Sequence, residues 1–300
     1  MKLRVRHVTE YEYADPVELA AHLAHLRPRT LPYQDVLSFK LQVEPTPERV
    51  VEGRDHFGNP VAWLFLSGMH QLLRVSTDAL VDVRARPAPD PADTQAWEHI
   101  AGLAGASDAA EFAFPSPRVP ILARARAWAA PSFPPGRPVL AGLLDLMHRI
   151  NDDFRFDPEV TTVSTTVDRV LELRAGVCQD FAHVMIAGLR TLGLPARYVS
   201  GYLRTRPPPG QPRLVGADQS HAWVGCWLGP AAGWVDLDPT NALVVSDGHV
   251  VLGWGRDYSD VSPVRGVLLG GGEHTLHVSV DIEPAGEGTG VGRPVAVEAG

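Results

Sequence analysis

Two periods divide the chain. Over the first 84 residues apolar and polar positions alternate. Leu3, Val5, His7, Tyr11 and Tyr13 face one way, and Arg4, Arg6, Glu10 and Glu12 face the other. The alternation recurs in Leu37, Phe39, Leu41 and Val43, and in Leu73, Val75, Thr77, Ala79, Val81 and Val83. Successive side chains of a strand point to opposite faces, so these segments predict half-buried strands. Residues 61–66 follow a Phe-Gly-Asn-Pro turn signal and are apolar on both faces, as a covered strand is. Four such strands with short polar connections predict an N-terminal antiparallel β-sandwich over residues 1–85. Its histidines, His7, His22, His25, His56 and His70, lack metal-ligand spacing and read as structural or exposed.

Residues 86–93 (RPAPDPAD) form a proline-rich linker, and beyond it the period lengthens. Residues 92–104 and 119–130 are Ala-rich helical stretches. Residues 139–150 carry Leu140, Leu143, Leu144 and Met147 on one face of an amphipathic helix, and 168–173 form a short helix. In residues 174–192, Phe181, Met185, Leu189 and Leu192 recur at helical spacing beside Ala182 and Ile186. That helix is apolar over much of its circumference and belongs in a core, with Gly176 before it and Gly193 and Pro195 after it. The period then returns to two in residues 196–204, 221–228, 233–237 and 274–282. Helices followed by strands predict an α+β domain over 94–283, with the Cys178 helix packed on an antiparallel sheet. The Pro-rich residues 205–216 read as a loop bordering the site, and the Gly-rich 284–300 as a flexible tail.

Composition narrows the functional classes. A chain of 300 residues, 45% hydrophobic, can bury a large core. Its net charge of -8 and pI near 5.8 argue against a nucleic-acid surface or a basic membrane anchor. Two cysteines are too few for a disulfide scaffold and fit a reducing compartment. With no apolar leader in MKLRVRHVTEYEY and no run of eighteen apolar residues, the expectation is a cytoplasmic protein that does not bind membranes.

Within this frame a few residues carry chemistry. Cys178 lies at the first turn of its helix, where unpaired N–H groups and the helix dipole favour a thiolate. Asp180 adds opposing negative charge. A free cysteine is as commonly a small core residue, so partners decide the matter. His221 begins one strand and Asp238 ends the next, with residues 229–233 as the turn. That hairpin sets His221 opposite a position near 241, about three rows from Asp238 and about five from Asp236, at roughly 3.4 Å per residue. A slip of one residue would reverse the face on which Asp238 lies. Parity groups His221 with Trp223, Gly225 and Trp227. It sets Cys226 on the other face with Ala222 and Val224, as an ordinary buried thiol. Cysteine, histidine and aspartate so placed are the parts of a thiol acyl-transfer site, with backbone N–H groups of the Cys178 helix as oxyanion donors. Zinc is disfavoured: Cys178 and His183 are five apart, and no CxxC or HxxxH pair exists.

The blocks GVCQDFAHVMIAGLRTLGLPARYVSGYL, SHAWVGCWL and GWVDLDPTN occur in that order. Together they resemble the three-part signature of the transglutaminase-like superfamily, in the bacterial branch that joins this core to an N-terminal β domain. The start MKLRVRHVTEYEY and the segment GRDYSDVSPVRG fit the same branch. The resemblance implies a papain-like fold, with Cys178 as nucleophile, His221 as base and Asp238 as acid, and no cofactor. It implies a peptide or protein substrate, cleaved as by a peptidase or amidase or joined to an amine as by a transglutaminase. A non-catalytic peptide-binding module on the same fold is the remaining alternative. Calcium dependence is not carried over, because no acidic calcium loop is present. Trp223 and Trp234 shield the site or pack near it. Asp257, Tyr258 and Asp260 border a groove or cap a surface turn, and His183 reads as a satisfied core histidine.

Overall fold

The computed structural model describes residues 1–204 and 219–285. The loop expected over 205–216 and most of the tail lie outside the described residues. The alternating segments form β1 (Lys2–Ala24), β2 (Gln34–Glu44), β3 (Arg49–Arg54) and β4 (Pro60–Val83). β1 and β4 pair antiparallel along nearly their whole length, with register shifts between Glu12 and Leu19. The two segments of residues 61–66 and 73–83 are thus one long strand. β2 pairs with the second half of β4 and β3 with the first. The halves face each other: Arg27 sits over the Phe39 ring at 5.2 Å, and Tyr13, Leu73 and Val75 share a buried cluster with Ala20, Leu64 and Leu66. One bent sheet thereby supplies both layers of the sandwich.

Next come α1 (Trp97–Ala104), α2 (Ala123–Ala129), α3 (Val139–Asp153), β5 (Arg155–Phe156), α4 (Val167–Leu173), β6 (Ala175–Gly176) and α5 (Cys178–Thr191). Among the described residues no helix is long and apolar enough to cross a membrane. β7 (Ala196–Leu203), β8 (Gln219–Trp227), β9 (Trp234–Asp238), β10 (Leu243–Val244) and β11 (His249–Gly255) form a sheet in the order β10-β9-β8-β7-β11. One face of this sheet receives α5: Phe181, Ala182, Met185, Ile186 and Leu189 pack with Tyr198, Ala222, Val224, Cys226 and Leu237. The opposite face offers Val199, Trp223 and Val251 to Leu31 and Tyr33 of the N-terminal region, while Tyr202, Val250 and Leu252 pack with Leu3, Val5, Val81 and Val83 of the sandwich. The core sheet is therefore a middle layer, apolar on both faces.

The last elements are α6 (Tyr258–Val261), β12 (Val264–Gly270) and β13 (His274–Pro284). Residues 274–282 were expected in the core sheet, but β13 pairs with the first half of β1 and β12 with the second. Alternation marks a half-buried strand without naming its neighbour. The chain returns to complete the sheet that its first residues began, so the sandwich draws on both ends of the sequence.

Candidate active site

The first turn of α5 is built by local contacts. Arg174 ends α4 in the left-handed region, with φ 51°. Gly176 then leaves room for Asp180 to fold back, since a Cβ there would lie 2.6 Å from Asp180 Oδ2. Asp180 Oδ2 accepts from the Val177 N–H at 2.9 Å and from the Thr161 hydroxyl at 2.7 Å. This is the reciprocal half of a capping box, an acidic residue at the third helical position bonding back to the cap. The opposing charge expected of Asp180 is thus engaged by two donors, while burial raises its pKa. The first intrahelical bond runs from Phe181 N–H to Val177 C=O. The N–H groups of Cys178, Gln179 and Asp180 accordingly have no acceptor within the helix. Cys178 is half-buried, and Cys226 is free, buried and far less acidic than usual because burial disfavours its thiolate.

The hairpin that carries the other two residues is one residue tighter than expected. Val224 pairs with Leu237 and Trp227 with Trp234, which sets His221 opposite position 240 and Asp238 opposite Trp223. His221 and Asp238 then share a face, two rows apart. His221 Nε2 donates to Asp238 Oδ2 at 2.7 Å. The neighbouring Asp236 is occupied elsewhere, with Arg86 at 2.8 Å and Arg197 at 3.8 Å. Asp238 also accepts from the Thr240 and Asn241 N–H groups on Oδ1, at 3.0 and 3.2 Å, and from Asn241 Nδ2 on Oδ2 at 2.7 Å. His249, at the start of β11, brings Nε2 within 3.3 Å of the same Oδ2. Burial alone would raise the carboxyl pKa, yet His221, His249 and Asn241 hold it well below the ordinary carboxylate range. Burial would likewise strip the proton from His221, but the Asp238 bond and the Cys178 sulfur, as a thiolate, push its pKa up to about 10.

The structure thus brings Cys178, His221 and Asp238 into one network. With Nε2 committed to Asp238, Nδ1 is the nitrogen left for the thiol. His221, Asp238 and His249 place three donor atoms within 4.8 Å of one another, close enough to surround a cation. A carboxylate bonded by two ring N–H groups accounts for that spacing with protons alone. Asn241 and His249 were not singled out from sequence. Asn241 stands three residues past Asp238 and His249 heads the apolar run HVVLGWG, but no spacing marks either.

The remaining candidates are structural. Trp223 is fully buried, its ring edge-on to His249 at 5.2 Å. Trp234 is half-buried beneath the Arg197 guanidinium. His183 is buried and accepts from the Tyr258 N–H at 3.2 Å, with its pKa pulled down to about 4 by desolvation. Asp257 caps α6 through the Ser259 N–H and also accepts from the Arg118 N–H, and Asp260 pairs with Arg256. These contacts fit the capped-turn alternative.

Residues 3–82 match the bacterial transglutaminase-like N-terminal region, and residues 128–239 match the transglutaminase-like superfamily core. An uncharacterized protein of Mycobacterium tuberculosis is 42% identical over 293 residues, covering 94% of this chain and 93% of its own length. The chain belongs to the transglutaminase-like superfamily. A second uncharacterized protein, from Mycobacterium leprae, is 31% identical over 94% of this chain and 98% of its own. A protein-glutamine gamma-glutamyltransferase of Pseudomonas aeruginosa is 35% identical over 99 residues, 32% of this chain but only 15% of that enzyme. The crystal structure of a Cytophaga hutchinsonii protein, provisionally called a cysteine protease, superposes with a TM-score of 0.73 at 21% identity, over 98% of this chain and 94% of that one. That likeness shows the transglutaminase-like fold across both regions. The core match contains Cys178, His221 and Asp238 and ends before Asn241 and His249.

Proposed function

We propose that this transglutaminase-like protein is a thiol acyl-transfer enzyme that cleaves amide or peptide bonds through a thioester on Cys178. The observation that carries the reading is the 2.7 Å bond between His221 Nε2 and a fully buried Asp238, with the half-buried Cys178 at the first turn of α5 a second side-chain partner of the same imidazole. His221 Nδ1 accepts the thiol proton, and Asp238 stabilises the imidazolium that results. The sulfur attacks the carbonyl, and the developing oxyanion is held by N–H groups at the start of α5. His221 returns its proton to the departing amine, leaving the acyl group on sulfur. Water deprotonated by His221 then releases the acid and restores the thiol. Attack by an amine in place of water would give transamidation, the activity named for the Pseudomonas aeruginosa relative that matches a third of this chain. Hydrolysis is the preferred outcome, since nothing in the sequence specifically signals an amine site. The substrate class is a peptide or protein, and no cofactor enters any step.

The test is the rate of iodoacetamide alkylation at Cys178 against pH, read by peptide mass spectrometry, with His221→Ala and Cys226→Ala in parallel. The proposal expects labelling that depends on His221 and ignores Cys226. Labelling that is indifferent to His221 and rises only near the free-thiol pKa of about 8.5 would refute it. Glutaminyl peptides incubated with and without a dansylated amine then separate release of the free acid from amine incorporation.

A further inference from the structure

The reading just given leaves one buried group at the site without a part. His249 is 4% exposed and lies at the head of β11, where it pairs with Leu203 of β7. Its Nε2 addresses Asp238 Oδ2 at 3.3 Å, the oxygen that His221 Nε2 reaches at 2.7 Å. An ionised carboxylate offers only acceptors, so the ring nitrogen facing it must carry a proton. His249 is held in place on several sides. The Trp223 ring stands edge-on at 5.2 Å, and the His249 N–H donates to Ser246 C=O. Two residues along, the Gln34 side chain both donates to and accepts from the Val251 backbone.

We infer that His249 is a positioning residue that keeps Asp238 ionised and aligned with His221 through a second ring N–H bond to Oδ2. The inference rests on the thiol acyl-transfer reading of Cys178. A carboxylate with no exposure needs several donors to stay charged. On Oδ2 those donors are His221, Asn241 and His249. His221 gains and loses a proton at Nδ1 in every turnover, and Asn241 is an exposed residue. His249 is sealed in and takes no part in proton transfer, so its bond stays constant while the charge on His221 changes. Among the described residues, the titratable groups facing Asp238 are His221 from β8 and His249 from β11, with Cys178 of α5 acting through His221. Asp236 of the same strand is matched by Arg86 and Arg197.

The sign of the effect follows from the donors. Removing the fixed N–H bond leaves Oδ2 free to turn away from His221, which weakens the support of the imidazolium, and thiol activation retreats towards the alkaline side. His249→Leu is expected to slow Cys178 alkylation about tenfold at pH 6 and to move the acid limb of its pH profile up by about one unit, the two being equivalent measures of one lost bond. His249→Gln, whose side-chain amide can place an N–H near the position of Nε2, is expected to restore both. A residue that only fills space would lower Tm without moving the limb. The inference is overturned if His249→Leu keeps the native rate and limb, or if His249→Gln is as impaired as His249→Leu. Nitrogen-15 histidine spectra of the native protein give a readout that needs no variant: His249 Nε2 must carry a proton, and an unprotonated Nε2 overturns the inference. His221→Ala run alongside tells the two failures apart, since labelling that ignores His221 removes the underlying reading, whereas labelling that needs His221 but not His249 removes only this inference.

Discussion

Asp238→Asn changes one atom at the centre of the network. The amide oxygen can keep the two backbone donors of Thr240 and Asn241, which bond Oδ1. Its NH2 group then replaces Oδ2 and faces three donors, from His221, His249 and Asn241. His221 can answer only by accepting at Nε2, which moves its proton to Nδ1, the nitrogen facing the thiol. A base that already carries the proton on that nitrogen cannot take another from Cys178. The electrostatic loss is separate. Asp238 and Cys178 together lift His221 from 6.5 to about 10 despite its burial. At about 1.4 kcal/mol per unit this is on the order of 5 kcal/mol in favour of the imidazolium. If Asp238 supplies about half, the variant loses ~2–3 kcal/mol, or on the order of 10² in the population of the thiolate–imidazolium pair. The tautomer reversal deepens the loss, towards the ~10⁴ known for the same substitution in a serine protease triad. The assay is Cys178 alkylation at pH 6 and 7, with Tm and circular dichroism to verify folding. A folded variant that labels within threefold of the native rate, with an unchanged pH profile, would refute the coupling of Asp238 to the thiol.

Three further outcomes follow from the same contacts. The pKa of His221 is raised on folding, so its stabilisation is complete below about pH 6.5 and fades as pH climbs towards 10; that of Asp238 is depressed, so its share is complete above about pH 4 and fades as pH falls. Urea unfolding of native and His221→Ala proteins should therefore differ most between about pH 4 and 6.5 and converge towards pH 10, and a difference independent of pH would contradict the ion pair. Gly176→Ala puts a methyl 2.6 Å from Asp180 Oδ2 and should cost about 1–3 kcal/mol while slowing Cys178 labelling. Asp180→Ala in the same chain should recover much of the stability, and strict additivity of the two would argue against the clash. Asp236→Asn leaves the buried Arg197 without its counter-charge and should cost about 3–5 kcal/mol, whereas Arg86→Ala, at a partly exposed position, should cost about 1 kcal/mol by urea titration; equal losses would show that Asp236 is not a buried ion-pair centre.

Much of this arrangement was legible in the sequence, and what was not has a physical cause. Helical spacing from Phe181 to Leu189 located α5 and its burial, because a helix that is apolar nearly all round has few places to go. Alternation found most strands, but it could not show that residues 61–66 and 73–83 are one bent strand, since a bend removes no side-chain alternation on either side of it. Nor could it send residues 274–282 back to β1, because pairing partners at a separation of some 270 residues leave no local trace. At the site, the motif order located Cys178, His221 and Asp238, while hairpin geometry alone missed by one residue. That residue decides the matter, because an odd shift moves a whole strand to the other face. His249 was invisible for a related reason. Its partner is reached through β7, the strand between β8 and β11, so nothing in its own neighbourhood announces an aspartate.

The N-terminal region bears on the chemistry through burial. Tyr202, Val250 and Leu252 lie against Leu3, Val5 and Val81, and the buried His7 bonds the Tyr202 hydroxyl at 2.8 Å. Arg29 donates its backbone N–H to Val251 C=O, and Asn59 bonds both the N–H and the C=O of Trp254. β11 is thereby held from the N-terminal region at Val251 and Trp254, and β11 carries His249. On the face that carries His221 and Asp238, Trp223 and Val251 pack with Leu31 and Tyr33 and close off the side on which Asp238 sits. Water let in there would screen the His221–Asp238 pair, whose strength depends on low dielectric surroundings. α5 brings Cys178 from one side of the sheet, and the N-terminal region covers the carboxylate from the other. The two regions match two family descriptions, and both pack against the one sheet that carries His221 and Asp238.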